Sequence, residues 1–185
     1  MFREGRLGDF GSELGKQDLT IARHVVEEGR ALVIAANKWD AVDDPRAVRR
    51  RLAESLERTL TQVRGVPVVP VSARDGTGID ALMKAVFEIE RLWNARVSTP
   101  DLNRWLGEIT ERHPPPLVSG RRIKLRYMTQ VNIRPPTFAL WISKPADLPK
   151  SYLRYLLNGL RDAFELEGVP IRIMLRKGKN PYEAK

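Results

Sequence analysis

The 185-residue sequence contains no cysteine and only two histidines, His24 and His113. The missing cysteines exclude disulfides, thiolate metal ligands and thiol nucleophiles, and so few histidines argue against a zinc site. No apolar run approaches the roughly 20 residues of a transmembrane helix, and the first residues lack the apolar core of a signal peptide. We therefore expect a cytoplasmic protein without a membrane partner, without metal ligands and without an evident catalytic residue.

The sequence is basic, but its charge is unevenly distributed. Residues 1–100 contain 16 Lys and Arg against 15 Asp and Glu, a net charge of +1, whereas residues 101–185 contain 16 against 8, a net charge of +8. A basic half beside a neutral half favours two modules, the second of which faces a polyanion such as RNA.

Residues 17–96 alternate between helical and strand patterns. Apolar runs at 31–36 and 67–71 predict strands that are buried on both faces, and periodic apolar residues predict helices over 17–29, 45–64 and 79–93. Strands that are separated by helices are typical of a parallel sheet with crossover connections. The pattern predicts an α/β fold for residues 1–96.

Residues 97–185 follow a different order, α-β-β-α-β, which predicts a small α+β domain. Its predicted segments are a helix from Thr99 to before Pro114, strands near 123–128, 138–142 and 171–175, and a helix over 153–164. In the first of these strands, apolar side chains at 123, 125 and 127 alternate with Lys124, Arg126 and Met128. This alternation predicts that Met128 lies on the exposed face.

Asn37-Lys38-Trp39-Asp40 follows the first predicted strand directly. It matches Asn-Lys-x-Asp, the guanine-selecting motif of P-loop GTPases. The two oxygens of the Asp40 carboxylate can accept from guanine N1–H and N2–H, adjacent donors that adenine lacks. Asn37 would brace the loop and meet the base edge, and Lys38 would lay its aliphatic stem along the ring. The alternative is a solvated polar loop.

Ser72-Ala73 follows the next predicted strand, ahead of the Gly-containing segment 74–78. In GTPases such a loop presents a backbone N–H to the guanine carbonyl. Open α/β sheets bind ligands at the carboxyl ends of neighbouring parallel strands, where both loops are expected. Together the loops predict a guanine site with five residues, which are Asn37, Lys38, Asp40, Ser72 and Ala73.

From Gln17 to its end the sequence resembles the Der (EngA) family of bacterial tandem GTPases. The segments that carry this resemblance are 31–40, 70–73, 121–130 and 179–182. The resemblance implies the end of a second GTPase domain, followed by a KH-like domain. It also implies GTP or GDP as ligand, a role in assembly of the large ribosomal subunit, and the family's own GTPase domains as partners.

The sequence also departs from that family. Gly-x-x-x-x-Gly-Lys-Ser/Thr, which cradles phosphates, does not occur, and no Asp-x-x-Gly stands where a magnesium segment is needed. We therefore expect a C-terminal part of a Der-like protein, with residues 1–16 as a leader or an altered start. Hydrolysis by this chain alone is not expected, and Mg²⁺ is expected only together with the missing motifs. An exposed sheet edge predicts self-association, repacking or poor order in residues 1–96.

Basic residues of the second half form two groups without intervening acidic residues. The candidates for RNA contact are Arg121, Arg122, Lys124, Arg126, Arg172, Arg176, Lys177 and Lys179. Large-subunit rRNA and docking onto the family's GTPase domains remain equal alternatives, since the Gly-x-x-Gly clamp of ordinary KH domains is absent from 97–185. Trp93, Trp105 and Trp141 are interpreted as core residues. The alternative function is a non-enzymatic RNA- or ribosome-binding module in which the GTPase part is only a scaffold.

Overall fold

The computed structural model describes residues 14–118 and 120–178, and at position 121 the backbone alone. Residues 1–13, and with them most of the predicted leader, lie outside the described residues. The elements are α1 (Lys16–Glu27), β1 (Ile34–Ala36), α2 (Pro45–Thr59), β2 (Val68–Pro70), α3 (Ile79–Trp93), α4 (Thr99–Arg112), β3 (Leu117–Val118), β4 (Arg121–Arg122), β5 (Leu125–Asn132), β6 (Thr137–Ile142), α5 (Lys150–Ala163) and β7 (Arg172–Lys177). None of the helices described is long and apolar enough to cross a membrane.

Helices α2 and α4 begin at the residues that the sequence predicts. Asp44 precedes Pro45, and its Oδ1 accepts from the amides of Arg46 and Ala47 at 3.1 and 3.0 Å. Ser98 likewise caps α4, because its Oγ accepts from the Asp101 amide at 3.2 Å. These side chains satisfy N–H groups that have no acceptor within the helix.

The N-terminal half contains the predicted parallel pair, in which Ile34, Ala35 and Ala36 lie opposite Val68, Val69 and Pro70. Helices α1 and α2 pack on one face of this pair around a small core. The apolar residues that predict a helix over 45–64 are all buried, namely Val48, Leu52, Leu56, Leu60 and Val63, although α2 itself ends at Thr59. The α/β prediction for this half is therefore confirmed.

The two strands are shorter than the apolar runs 31–36 and 67–71 that predict them. Ala31 and Val33 precede β1 and pack against the core of the C-terminal half instead of extending the ladder. Ala35, inside β1, is exposed. The expectation of strands buried on both faces is therefore wrong for β1, because the described residues supply cover on only part of its surface.

The C-terminal half has the predicted order α-β-β-α-β. Strand β6 lies centrally, antiparallel to β5 and parallel to β7, in the order β5-β6-β7. Helices α4 and α5 contribute to the main hydrophobic core, whose fully buried side chains include Leu102, Leu156, Leu160 and Phe138. A short hairpin, β3–β4, precedes this sheet and is not predicted by the sequence pattern.

A side chain of helix α4 forms hydrogen bonds with the free edge of β5. The Asn103 Nδ2 donates to the Met128 carbonyl at 2.9 Å, and its Oδ1 accepts from the Met128 amide at 3.0 Å. One side-chain amide thus takes the place of a neighbouring peptide group, which keeps this part of the edge hydrogen-bonded.

The predicted exposure of Met128 is wrong. The ladder between β5 and β6 changes register between Leu125 and Tyr127, and after this irregularity Met128 pairs with Leu140. Side chains alternate with a period of two, so a one-residue irregularity transfers the following residues to the other face. Met128 is consequently fully buried, whereas Tyr127 is half-buried on the opposite face.

The two halves share packing and hydrogen bonds. Ile89 of α3 belongs to the core of the C-terminal half. Gly168 has φ +77°, and a Cβ there would lie 2.7 Å from the Ile89 Cδ1, so this contact requires glycine. The Trp93 Nε1 donates to the Gly29 carbonyl at 2.9 Å, and the Gly168 amide donates to the Arg64 carbonyl at 2.7 Å.

A charged cluster lies beside this junction. The Arg64 guanidinium contacts Asp162 at 2.9 Å and Glu167 at 3.1 Å. Arg161 is buried and donates to the Gln62 carbonyl and, at 3.2 Å, to the Asn158 Oδ1. Burial, followed by repulsion from Arg64, lowers the pKa of the Arg161 guanidinium. The exposed ion pairs contribute little, so apolar packing carries most of the stability of the junction.

Tyr152 provides a test of the core of the C-terminal half. Its hydroxyl donates to the His113 carbonyl at 2.7 Å, and burial raises its pKa from 10.0 to about 12. Because the folded pKa is the higher one, the stability linked to this proton is complete below pH 10 and is lost as the pH rises to about 12.

We expect Tyr152→Phe to lower the free energy of unfolding by about 1 kcal/mol near pH 7, since a buried hydrogen bond is lost. The same variant should lose less stability than the parent between pH 10 and pH 12, because it has no phenol to ionise. Urea denaturation at neutral and alkaline pH measures both effects. An alkaline loss as steep as that of the parent would contradict the assignment.

Candidate functional site

The two loops of the predicted site lie side by side at the carboxyl ends of β1 and β2. The Val71 amide donates to the Ala36 carbonyl at 2.9 Å, and the Trp39 amide donates to the Val71 carbonyl at 3.0 Å. These bonds extend the contact between the two segments beyond the strands, to Val71 after β2 and to Trp39 after β1. They place segment 37–40 next to segment 72–77.

Asn37 joins the loops. Its Oδ1 accepts from the Lys38 amide at 2.8 Å and from the Ala73 amide at 3.0 Å. Lys38 has φ 59°, in the left-handed region that few residues other than glycine adopt. The side chain of Asn37 thus satisfies the amide of this strained residue as well as that of the neighbouring loop.

Asp40 lies on the other side of the same loop. Its Oδ2 is 2.9 Å from the Arg74 Nη2, and its side chain is 21% exposed, compared with 79% for Arg74. The adjacent Trp39 ring lies below the Arg49 guanidinium, whose Cζ is 5.5 Å from the ring centre. The carboxylate is therefore accessible from solvent and held by one exposed cation, which a ligand can displace at small cost.

The Ser72-Ala73 loop is held by its own backbone. The Ser72 amide donates to the Thr77 carbonyl and the Gly76 amide to the Ser72 carbonyl, both at 2.9 Å. The Asp75 Oδ1 accepts from the Thr77 amide at 3.1 Å, and this bond lowers the pKa of the Asp75 carboxyl. A Cβ on Gly78 would lie 2.2 Å from the Pro70 carbonyl oxygen, so the turn into α3 requires glycine.

The structure places Asn37, Lys38 and Asp40 on one loop, next to the loop that contains Ala73. Ser72 is buried beneath the loop, so its side chain does not face an incoming base. A cavity of about 410 Å³ is lined by Asp40, Ser72 and neighbouring residues of β2, but Asn37, Lys38 and Ala73 do not line it. The Asp40 carboxylate therefore borders this cavity, whereas the Asn37 side chain and the Ala73 amide lie outside it.

Arg74 and Asp75 are site residues that the sequence analysis does not single out. Both stand directly after Ser72-Ala73, but nothing in a single sequence indicates that Arg74 reaches across to Asp40. Within residues 14–118 and 120–178, no group of three or more acidic residues or histidines could hold a metal ion. The constellation offers hydrogen bonds to a base edge through the Asp40 carboxylate and, after release from Asn37, the Ala73 amide.

The predicted basic residues that the structure describes do not all lie together in the C-terminal half. The ladder places Lys177 beside Ile142, Ile142 beside Leu125, and Arg176 beside Trp141. Four candidates are therefore gathered at one end of the three-stranded sheet, and we call them the basic cluster: Lys124, Arg126, Arg176 and Lys177. All four are exposed, and the ion pairs found among the described residues include none of them.

Arg172 lies apart from the basic cluster. It pairs with Thr137 at the opposite end of β6, and its Nη2 donates to the Glu27 carbonyl at 2.8 Å. A single basic surface that includes Arg172 is therefore not formed, because this guanidinium contacts the C-terminal end of α1. Arg122 is exposed on the β3–β4 hairpin. The side chain of Arg121 and all of Lys179 lie outside the described residues.

Two aromatic rings accompany the basic cluster. Tyr127 and Trp141 are cross-strand neighbours with ring centres 5.5 Å apart, and Arg176 follows Trp141 in the same row. Both rings are half-buried on the face opposite Met128 and Leu140. Trp105 is buried as expected, and Trp93 is half-buried at the junction of the two halves, whereas Trp141 is not enclosed in the core.

The family comparisons agree with the order of the elements. A family model described as "KH-domain-like of EngA bacterial GTPase enzymes, C-terminal" matches residues 96–176. The chain thus combines a KH-like α+β module with an α/β unit that contains a parallel strand pair. This defines the class of protein as a GTPase-type α/β unit followed by a KH-like module.

Curated relatives extend the match to nearly the whole chain. GTPase Der of Agrobacterium fabrum is 52% identical over 92% of this chain and 36% of its own length. GTPase Der of Mesorhizobium japonicum is 54% identical over 90% of this chain and 35% of its own length. The chain therefore belongs to the Der (EngA) family, and it spans about a third of the length of the curated relatives it matches.

Among solved structures, Aquifex aeolicus Era bound to GDP·AlF4⁻ matches with a TM-score of 0.34 and 15% identity. The match covers 90% of this chain and 62% of that chain. A likeness at this level carries no argument about the site.

The role of Asn37 as the link between the loops gives a direct prediction. In Asn37→Ala the Ala73 amide loses its acceptor, and we expect its hydrogen-exchange protection to fall about three- to tenfold, the effect of one lost hydrogen bond. Amide exchange followed by NMR measures this change. Asn132→Ala, which removes an exposed asparagine far from the loops, should leave Ala73 unchanged. Equal exchange rates at Ala73 in Asn37→Ala and the parent would refute the link.

Proposed function

We propose that this chain supplies the guanine-recognition loops and the KH-like domain of a Der-type GTPase that acts in assembly of the large ribosomal subunit. In this proposal Asp40 selects guanine, Asn37 and Lys38 support the base, and the Ser72-Ala73 loop offers the Ala73 amide to the guanine carbonyl. GTP and GDP are the ligands of the complete family member. We assign no hydrolytic step to the residues at hand.

The observation that carries this proposal is the arrangement of the two loops. The Asn37 Oδ1 accepts from the Ala73 amide at 3.0 Å. Asp40 contacts Arg74, the residue that follows Ala73, at 2.9 Å. A carboxylate that can accept twice and an amide that can donate thus lie on adjacent loops. These are the complements of the N1–H and N2–H donors and of the carbonyl acceptor of guanine.

Base selection can be tested by a change that inverts it. The Asp40 carboxylate accepts from both guanine donors, whereas an asparagine offers one acceptor and one donor, which fits the N1–H and C2 carbonyl of xanthine. We expect the parent chain to bind guanosine nucleotides in preference to those of adenosine and xanthosine. Asp40→Asn should prefer the xanthosine nucleotide, with a change in relative affinity of about tenfold or more, since a mismatched polar pair costs about 1–3 kcal/mol.

Isothermal titration at high ligand concentration measures these affinities, because without phosphate contacts the binding is expected to be weak. Asp43→Asn, a change in an exposed aspartate outside the motif, serves as the matched control and should keep the preference for guanine. An Asp40→Asn chain that still prefers guanine, or a parent chain that does not distinguish the three bases, would refute the proposed selection.

The second candidate function is RNA binding by the C-terminal half alone, with the α/β unit acting as a scaffold. The observation that favours it is the basic cluster, four exposed cations at one end of the sheet, where Arg176 shares a row with the half-buried rings of Trp141 and Tyr127. Cations attract phosphates, and aromatic faces stack on unpaired bases. The contact of Arg172 with Glu27 favours intramolecular docking for that residue only.

We expect the chain to bind large-subunit rRNA with an affinity that falls steeply as the salt concentration rises. The plot of the logarithm of the binding constant against the logarithm of the salt concentration has a negative slope. In Arg176→Ala and in Lys177→Ala this slope should become shallower by about one, since each variant removes one phosphate contact. Fluorescence anisotropy with labelled rRNA fragments measures the slope. Arg154→Ala, which removes an exposed arginine of α5, should have no such effect. Equal slopes for all three variants would remove the support for this surface.

A further inference from the structure

A cavity of about 480 Å³ lies where the connection between α3 and α4 meets the turn between β5 and β6. Its lining residues are Asn94, Arg96, Val131, Asn132, Ile133 and Arg134. Both arginines are exposed, and the ion pairs found within residues 14–118 and 120–178 include neither of them. The cavity therefore presents two positive charges and, in the part of the chain that the structure describes, no carboxylate lines it.

A buried glutamine holds the two segments of this cavity together. Gln130 is only 5% exposed. Its Nε2 donates to the Ala95 carbonyl at 3.0 Å and to the Asn132 carbonyl at 3.2 Å, and its Oε1 accepts from the Val97 amide at 2.8 Å. One side chain thus fixes the connection between α3 and α4 relative to the β5–β6 turn. Because both backbones are already in place, a ligand that binds between them has little of the protein to order.

The guanidinium of Arg134 is also held in one orientation. Its Nε donates to the Asn94 Oδ1, and its Cζ lies 5.4 Å from the centre of the Trp93 ring. Asn132 supports the backbone at this point, since its Nδ2 donates to the Arg134 carbonyl at 3.1 Å. Neither Nη atom of Arg134 has a hydrogen-bond partner among the described residues. This free edge carries parallel N–H groups, which match two oxygens of one anion.

We propose that Arg96 and Arg134 bind a phosphate group. A carboxylate has only two oxygens, which the free edge of Arg134 alone would satisfy, whereas a phosphate group offers further oxygens to Arg96. Val131, which is 52% exposed, and the half-buried Ile133 line the same cavity and can contact an apolar part of the ligand. The site lies at the end of β5 that is remote from the basic cluster, so the two are separate.

NMR of the full 185-residue chain, titrated with inorganic phosphate at an ionic strength held constant with chloride, tests the site. We expect shifts of the Arg134 Nε–H signal and of the amides of residues 94–97 and 131–134. A single-stranded RNA octamer is the second probe. If it shifts the same signals at a lower concentration than inorganic phosphate, the natural source is RNA. If only inorganic phosphate shifts them, the source is a small phosphorylated molecule. Both results support a phosphate site.

Two variants separate recognition of phosphate from attraction by net charge. Arg134→Lys keeps the charge but loses the paired N–H groups, so we expect the affinity for the phosphate probes to fall about tenfold. Asn94→Ala changes no charge but frees the Arg134 Nε, and the affinity should fall about threefold. Arg154→Lys, a change in an exposed arginine of α5, is the matched control and should bind like the parent. Circular dichroism verifies that each variant keeps its helix content.

Three results would overturn the proposal. The first is that neither probe shifts the signals of this cavity. The second is that Arg134→Lys and Asn94→Ala both bind like the parent, since the attraction would then depend on charge alone. The third is a pentaglutamate peptide that shifts these signals as strongly as the phosphate probes, which would assign the cavity to carboxylates.

Discussion

The candidate base site depends on the parallel alignment of β1 with β2. Hydrogen bonds from Val71 to Ala36 and from Trp39 to Val71 extend this pairing to the point where both loops begin. A shift of one residue would displace one loop by about 3.3 Å and turn its side chains to the other face. The link between Asn37 and Ala73 and the ion pair of Asp40 with Arg74 would then both be lost.

The same short sheet is anchored to the KH-like module by packing rather than by charge. Ala31 and Val33 leave the ladder before β1 and enter the larger core, where Ile89 and Trp93 join them from α3. Elements on both sides of the two candidate-site loops thus end in the hydrophobic core of the KH-like module. The position of the loops relative to that module is consequently fixed by buried apolar contacts, which salt does not weaken.

The element order and most of the core follow from the sequence, because apolar periodicity and helix caps are local properties. The buried apolar stripe at residues 48–63 and the cap at Asp44 are examples. The face of β5 on which Met128 lies could not be predicted, since the register shift depends on pairing with β6. The contacts of Arg74 with Asp40 and of Arg172 with Glu27 join distant segments, the latter 145 residues apart, and no single sequence records such distances. The two loops of the candidate site are recognisable in the sequence because their motifs are short and contiguous.

The amide of Asn103 has a consequence for aggregation. By bonding to both the N–H and the C=O of Met128, it blocks the site at which a foreign strand would attach to β5. A single side chain thereby opposes edge-to-edge addition of a strand at this point of β5, a form of growth that leads to fibrils. Replacement of this asparagine by an apolar residue would leave the helix intact but open the sheet to that route of misassembly.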